Sequence, residues 1–305
     1  MANKSKWHIW SAQWAVRALK NMANWSDAAR YRVGTSLAWL ASKFAKRRMN
    51  IARTNLSLCF PSWTDEQVER VAQQQMRYFA QALMDRSLFW FGAKEAVFSH
   101  IALQDEHFLN EALAKKRPII LLAPHFVGLD AGGMRINMMH PVVSMYQRQS
   151  NPVFDQMVLE GRSRTGQAYL YSRHDGARKL VKLLRDNIPL YYLPDMDFGR
   201  KDSIFSEFFG QPAATLTALP KLAGLTQALI VPCITRIDKD AFARGQTRYI
   251  TQFYPAWDGY PQGSEEEAVR QMNQFIEERI TEDPAQYLWM HKRFKTRPEG
   301  MAGVY

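Results

Sequence analysis

The chain runs to 305 residues, 47% hydrophobic and 23% charged, an ordinary globular balance with material for one large core or two small ones. Its two cysteines, Cys59 and Cys233, stand far apart among apolar neighbours, which excludes a disulfide framework and reads as buried thiols in a reducing compartment. The net charge is +11, and residues 1–53 hold eleven Lys/Arg against one acid, Asp27, so that +10 of it belongs to the N-terminal segment.

A segment of that charge implies an anionic partner: a membrane leaflet, nucleic acid or an acidic protein. No run of about 18 uncharged apolar residues occurs, so no transmembrane helix is expected. No apolar core and cleavage site follow the basic start, as they would in a signal peptide. Residues 5–25 place Trp7, Trp10, Trp14, Ala18, Met22 and Trp25 three or four apart, on one face of a helix, with Lys6, Arg17 and Lys20 off that stripe. Residues 33–44 put Val33, Leu37, Leu40 and Phe44 on one face and run into Lys46, Arg47 and Arg48. Trp suits a membrane interface and the cations suit anionic headgroups; the same pattern also fits a Trp-rich core helix with a solvated basic face.

Thr64 and Gln67 form a capping-box pattern opening a helix that Gly92 ends near Phe91. From about residue 105 helices and strands alternate. The expected strands are 118–123, 142–147, 168–172, 188–194 and 228–235, with 247–253 as a further candidate. The expected helices are 105–116, one from about 128–130, 151–164 (Asn151 as N-cap, Pro152 at N1), 176–187, 215–226 and 265–280. Residues 195–214 read as a loop. The alternation predicts an α/β fold: a mixed, largely parallel sheet flanked by helices. Residues 1–54 read as a basic, helical, membrane-associating segment and residues 55–305 as the α/β domain.

The stretch IILLAPHFVGLD, residues 119–130, is where chemistry is expected. An apolar strand stops at Pro124, His125 follows, and Asp130 comes five residues later. In open α/β sheets ligands bind at the carboxyl ends of strands. On one ideal helix the two side chains would point ~140° apart. They meet only if His125 lies in the turn before a helix and Asp130 in its first turn. Asp130 would then orient the imidazole and leave its other nitrogen as a base. The plainer alternative is a packed His at a strand end and a capping Asp. The sequence has no G-x-S-x-G elbow, no HExxH and no Cys cluster, and Gly132-Gly133 has neither phosphate-loop spacing. A substrate hydroxyl activated by His125 needs no protein nucleophile. Arg148, Arg162 and Arg164 are candidates to hold an oxyanion or a phosphate. Asp195 stands at the end of another apolar strand, and Phe205, Phe208 and Phe209 could line an acyl channel or belong to the core.

Several motifs together carry a resemblance: APHFVGLD, RTNLSLCFP at 53–61, Asn151-Pro152, LPDMDFG at 193–199, and YLWMHKRFKTRPEG at 287–300. In this order, across residues 47–300, they resemble the lipid A biosynthesis late acyltransferases, the Kdo-dependent lauroyl/myristoyl transferases. The resemblance implies transfer of a fatty acyl chain from acyl carrier protein to a hydroxyl of a lipid A precursor, at the cytoplasmic face of the cell inner membrane. It implies no metal, no bound cofactor and no nucleic-acid partner. It makes His125 the general base, Asp130 its orienter and Arg162 the oxyanion residue; Arg148 and Asp195 remain further oxyanion or substrate-binding candidates from their places at strand ends. The chain departs from many members in its merely amphipathic N-terminus, and from the lauroyl branch in having Asp130 where Glu is common. Rival expectations are a same-fold acyltransferase acting on another lipid, and a non-catalytic membrane-binding protein.

Overall fold

The computed structural model describes residues 2–172 and 176–305, with side chains omitted for residues 2–8 and 177. Three helices come first: α1 (Ala2–Met22), α2 (Asp27–Phe44) and α3 (Lys46–Cys59). The long α4 (Asp65–Phe91) follows. Its start is fixed by a complete capping box, in which Gln67 N–H donates to Thr64 Oγ1 (3.3 Å) and Thr64 N–H to Gln67 Oε1 (2.7 Å).

The remainder alternates. It runs α5 (Lys94–His100), β1 (Ile101–Gln104), α6 (His107–Ala114), β2 (Ile119–Leu122), α7 (Leu129–Asn137), β3 (Val142–Tyr146), α8 (Pro152–Ser163) and β4 (Ala168–Ser172). Then come α9 (Ala177–Arg185), β5 (Leu190–Tyr192), β6 (Ser203–Phe208), β7 (Gln211–Leu216), α10 (Ala218–Thr226) and β8 (Leu229–Ile237). The short α11 (Lys239–Ala243), β9 (Tyr249–Phe253) and α12 (Glu265–Glu282) complete it. Seven strands form one sheet in the order β1-β9-β8-β2-β5-β3-β4. Every neighbouring pair is parallel except β8 with β9. The expected mixed, largely parallel α/β sheet is therefore present.

β2 is central, and its IILL is buried on both faces. Ile120 and Leu122 join Leu190 and Tyr192 under α9, α10 and α12, whereas Ile119 and Leu121 join Tyr191 under α6 and α7. The period of two sends alternate residues to opposite layers. Each fully buried Ile or Leu there contributes roughly 1.5–3 kcal/mol. α7 lies unusually close to β8: a Cβ at Gly128 would come 2.7 Å from the Thr235 carbonyl oxygen, and one at Gly132 would overlap the Thr235 hydroxyl. Small residues at both positions permit that approach.

Three expectations are corrected. Residues 195–214 are not merely a loop: β6 and β7 pair there as an antiparallel hairpin, and Arg293 is buried against it, donating to Ala214 O (2.8 Å) and Thr215 Oγ1 (2.7 Å). β1 also lies where no element was expected, and α3 carries the expected N-terminal helical segment on to Cys59. Residue 54 lies inside α3, whose Met49, Ala52 and Leu56 belong to the main core, so no structural boundary falls there.

Of the expected N-terminal stripe, the Trp7 side chain lies outside the described residues. Trp10, Trp14, Trp25, Leu37, Leu40 and Phe44 are all exposed. α2 instead buries Arg30, Gly34 and Ala38, one face at i, i+4 and i+8, against α4. Arg30 is 2% exposed and reaches Asp85 (3.3 Å) and Asp27 (2.6 Å). Tyr249 of β9 donates to the other Asp85 oxygen at 2.8 Å. A buried polar cluster thus ties α2 to the body of the fold.

Candidate active site

β2 and β5 are parallel neighbours with Leu122 opposite Tyr192. His125 and Asp195 each stand three residues beyond that pair, so both chains leave the sheet together and their side chains meet. His125 Nδ1 lies 2.7 Å from Asp195 Oδ1, and the His125 backbone N–H donates to Asp195 Oδ2 at 2.9 Å. Asp195 is fully buried. Burial alone would raise its pKa, but attraction and hydrogen bonds from His125 outweigh it, and the carboxyl is held well below the usual range. An ionised carboxylate only accepts hydrogen bonds, so Nδ1 carries the proton that faces it, and in the neutral imidazole Nε2 is the nitrogen left with a lone pair.

The turn bearing His125 is gripped by the C-terminal tail. Leu288 N–H donates to His125 O (2.9 Å) and Val127 N–H to Gln286 O (2.8 Å), with Phe126 bridged to Tyr287. The tail is itself pinned from α3, where Asn55 donates to Trp289 O (2.7 Å) and His291 O (2.8 Å). His291 packs with its ring centroid 6.0 Å from that of His125. Burial, opposed by Asp195, lowers the His291 pKa to about 4, so the ring is neutral at pH 7.

The expected pairing of His125 with Asp130 is not the one formed. Asp130 lies in the first turn of α7, as the spacing predicted, but that turn aims it at two guanidiniums. Arg162 Nη2 of α8 is 2.6 Å from Asp130 Oδ1, and Arg86 Nη2 of α4 is 2.5 Å from Oδ2. Burial would raise the Asp130 pKa, but Arg162 and Arg86 hold it at about 2. Arg162 is thereby fixed beside α7. Arg148 is elsewhere: its side chain is 79% exposed and pairs loosely with Asp155 at 3.7 Å.

Two apolar cavities meet at Leu129 and Asp130. One lies between α4 and α7, lined by Phe79, Leu83, Phe89 and Val127. The other lies between α7 and the sheet, lined by Met134, Val142, Leu170 and Leu193, with Arg162 at its wall. Phe205, Phe208 and Phe209 line neither; Phe208 is core, beneath the Arg293 guanidinium. Cys59 and Cys233 are buried and their thiols are pushed well up by desolvation, so neither supplies a thiolate. Among the described residues no cluster of three or more His, Cys, Asp or Glu is placed to hold a metal. Arg86 and His291 are site residues that the sequence reading missed. Arg86 gave no signal on a helix read as scaffold, and His291 was visible only as part of the tail motif.

The chain is similar in sequence to several known proteins. The chain is 32% identical to the lipid A biosynthesis palmitoleoyltransferase of Escherichia coli K12 over 274 residues, 90% of this chain and 87% of that protein. It is 31% identical to the lauroyltransferase of the same organism, over 90% and 88% of the two chains. It is 28% identical to its myristoyltransferase, over 97% and 90%. The solved 1-acyl-sn-glycerophosphate acyltransferase PlsC of Thermotoga maritima aligns over 85% of this chain and 98% of its own at 13% identity, with a TM-score of 0.38, a likeness that bears no weight here. The model of the bacterial lipid A biosynthesis acyltransferases matches residues 3–296, and the chain belongs to that family of acyltransferases.

Proposed function

We propose that this acyltransferase moves a fatty acyl chain from the thioester of acyl carrier protein to a hydroxyl of a lipid A precursor, with His125 as general base. The observation that carries the reading is the His125–Asp195 pair, which frees Nε2 at the carboxyl edge of the sheet. Nε2 takes the proton of the acceptor hydroxyl. The oxygen attacks the thioester carbonyl carbon, the tetrahedral oxyanion collapses, and the C–S bond breaks. The departing thiolate recovers the proton from the imidazolium. Asp195 stabilises that imidazolium and keeps the tautomer. Arg162, held by Asp130, faces the developing oxyanion, and Arg148 lies further out, where it meets the acceptor's anionic groups. The apolar cavities beside Asp130 seat acyl carbons.

The same reading places the enzyme on the cytoplasmic face of the inner membrane as a peripheral protein. Exposed Trp10, Trp14, Trp25, Trp39 and Phe44 on α1, α2 and the turn between them, interleaved with cations, fit an anionic bilayer surface. Among the described residues no helix is long and apolar enough to cross a membrane.

The test is acyl transfer in vitro with acyl carrier protein thioesters and defined lipid A precursors. His125→Ala leaves a folded protein with at least ~100-fold less transfer, since general-base catalysis supplies 10²–10⁴-fold. A purified variant turning over near the wild-type rate overturns the assignment. Transfer to an ornithine lipid or glycolipid, with none to lipid A precursors, overturns the acceptor.

A further inference from the structure

We propose that α9 (Ala177–Arg185) is the docking surface for the acidic acyl carrier protein. This rests on the reading that the carrier is the donor. The helix has two sharply different sides. Leu180 and Leu184 are buried in the main core, whereas Arg178, Lys179, Lys182 and Arg185 are exposed. Positions 178, 182 and 185 follow i, i+4 and i+7, so three cations form one stripe, with Lys179 beside it. Among the described residues none of these four has an ion-pair partner, although cations elsewhere on the surface pair freely, as Lys115 and Arg117 do with Asp258. No acid occurs within α9 itself. A row of cations with no partner among the described residues repels itself and is relieved by an anionic partner.

Its place in the fold fits delivery of a thioester. β4 runs parallel to β3, and β3 to β5, so β4 leaves the sheet at the edge where His125 and Asp195 stand. α9 begins five residues after Ser172, within about 17 Å of chain from that edge, and runs back toward the start of β5, so Arg178 and Lys179 are the cations nearest the site edge. A carrier protein on this face has its thioester arm directed along the rim of the sheet toward the base.

Composition separates this surface from the N-terminal one. α1 and α2 interleave cations with exposed Trp, Leu and Phe, whereas no large exposed hydrophobic residue lies on α9. A bilayer rewards buried apolar side chains as well as charge; a soluble, strongly acidic protein needs charge alone. α9 also buries its aliphatic residues among those of α10 and α12, on the other layer of the sheet from α7.

The experiment compares the full-length enzyme with Arg178→Glu/Lys182→Glu/Arg185→Glu, on acyl carrier protein thioesters and on the same acyl group as a pantetheine thioester. Circular dichroism checks folding, and co-sedimentation with vesicles containing anionic phospholipid runs alongside. The expected result is a KM for the carrier thioester raised at least 10-fold, with kcat and the pantetheine reaction within twofold of wild type and vesicle binding retained. Raising the salt concentration weakens the wild-type KM and leaves that of the variant flat. Equal losses on both thioesters, an unchanged carrier KM, or loss of vesicle binding without donor discrimination overturns the proposal. If α9 tolerates no charge reversal, Lys182→Gln/Arg185→Gln gives the same contrast at smaller amplitude. A wild-type enzyme that uses acyl-pantetheine and rejects the carrier thioester refutes the donor reading itself.

Discussion

Asp195→Asn is the sharpest probe of the site, because the geometry allows the amide no harmless orientation. Asp195 accepts two hydrogen bonds, from the His125 backbone N–H at 2.9 Å and from Nδ1 at 2.7 Å. The amide has one acceptor oxygen. If it keeps Nδ1–H, its NH₂ faces the backbone N–H, and two buried donors are opposed at a cost of about 1–3 kcal/mol. If it turns, the oxygen satisfies the backbone and the NH₂ donates to Nδ1. The imidazole then carries its proton on Nε2 and has no lone pair for the acceptor hydroxyl. The backbone N–H cannot change its role and the imidazole can, so the second arrangement wins. Loss of the base costs about 10²–10⁴ in kcat, or roughly 2.7–5.5 kcal/mol of barrier, with substrate affinity largely kept. The assay is single-turnover acyl transfer, with the imidazole tautomer read by nitrogen NMR. A variant within 10-fold of wild type, beside an Asp130→Asn enzyme slowed a thousandfold with a shifted pH profile, would return the orienting role to Asp130 and refute this reasoning.

Two further outcomes follow from the buried charges. Arg30→Ala strands Asp85, a fully buried carboxyl whose pKa is pushed up to about 6 by burial, and destabilises the protein by about 3 kcal/mol in urea unfolding at pH 7; the loss shrinks at pH 5, where Asp85 takes up a proton, and equal losses at both pH values would exclude Asp85 as the stranded group. His291 is depressed to about 4 by burial. Its contribution is complete above pH 6.5 and is lost as the pH falls toward 4, because the unfolded chain binds that proton more readily. Between pH 7 and pH 5 wild type therefore loses on the order of 2 kcal/mol from this group, and His291→Asn removes that part of the slope; parallel unfolding curves for the two proteins would show that the ring is not buried neutral.

What could be read from the sequence depended on range. The capping box at Thr64, the Asn151-Pro152 start of α8 and the buried IILL of β2 are local signals, and each stands where its chemistry places it. The β6–β7 hairpin was not legible, since β6 alternates weakly and its partner carries Pro212. Its stability depends on Arg293, almost 80 residues away in the chain. That α3 belongs to the core was hidden because its first turn carries Lys46, Arg47 and Arg48 and its polar face masks the buried Met49, Ala52 and Leu56.

The site divides along the same line. That His125 ends a buried strand is a local fact. Which carboxylate holds it is a question of strand order, and nothing local states that β5 lies beside β2. The five-residue spacing to Asp130 drew attention because both residues flank one helix start, yet the start of α7 turns Asp130 toward Arg86 and Arg162. Once β2 and β5 are paired in register, Asp195 follows from counting, since it stands as far beyond Tyr192 as His125 stands beyond Leu122. The tail motif acquires its physical sense in the same way. Residues 286–288 close the His125 turn through backbone hydrogen bonds, and Trp289 and Arg293 are fully buried to hold that strip in place. The His125 imidazole is therefore positioned from two sides, by a carboxylate from the middle of the chain and by backbone from its end. A change at Trp289 or Arg293 would loosen that imidazole without touching it.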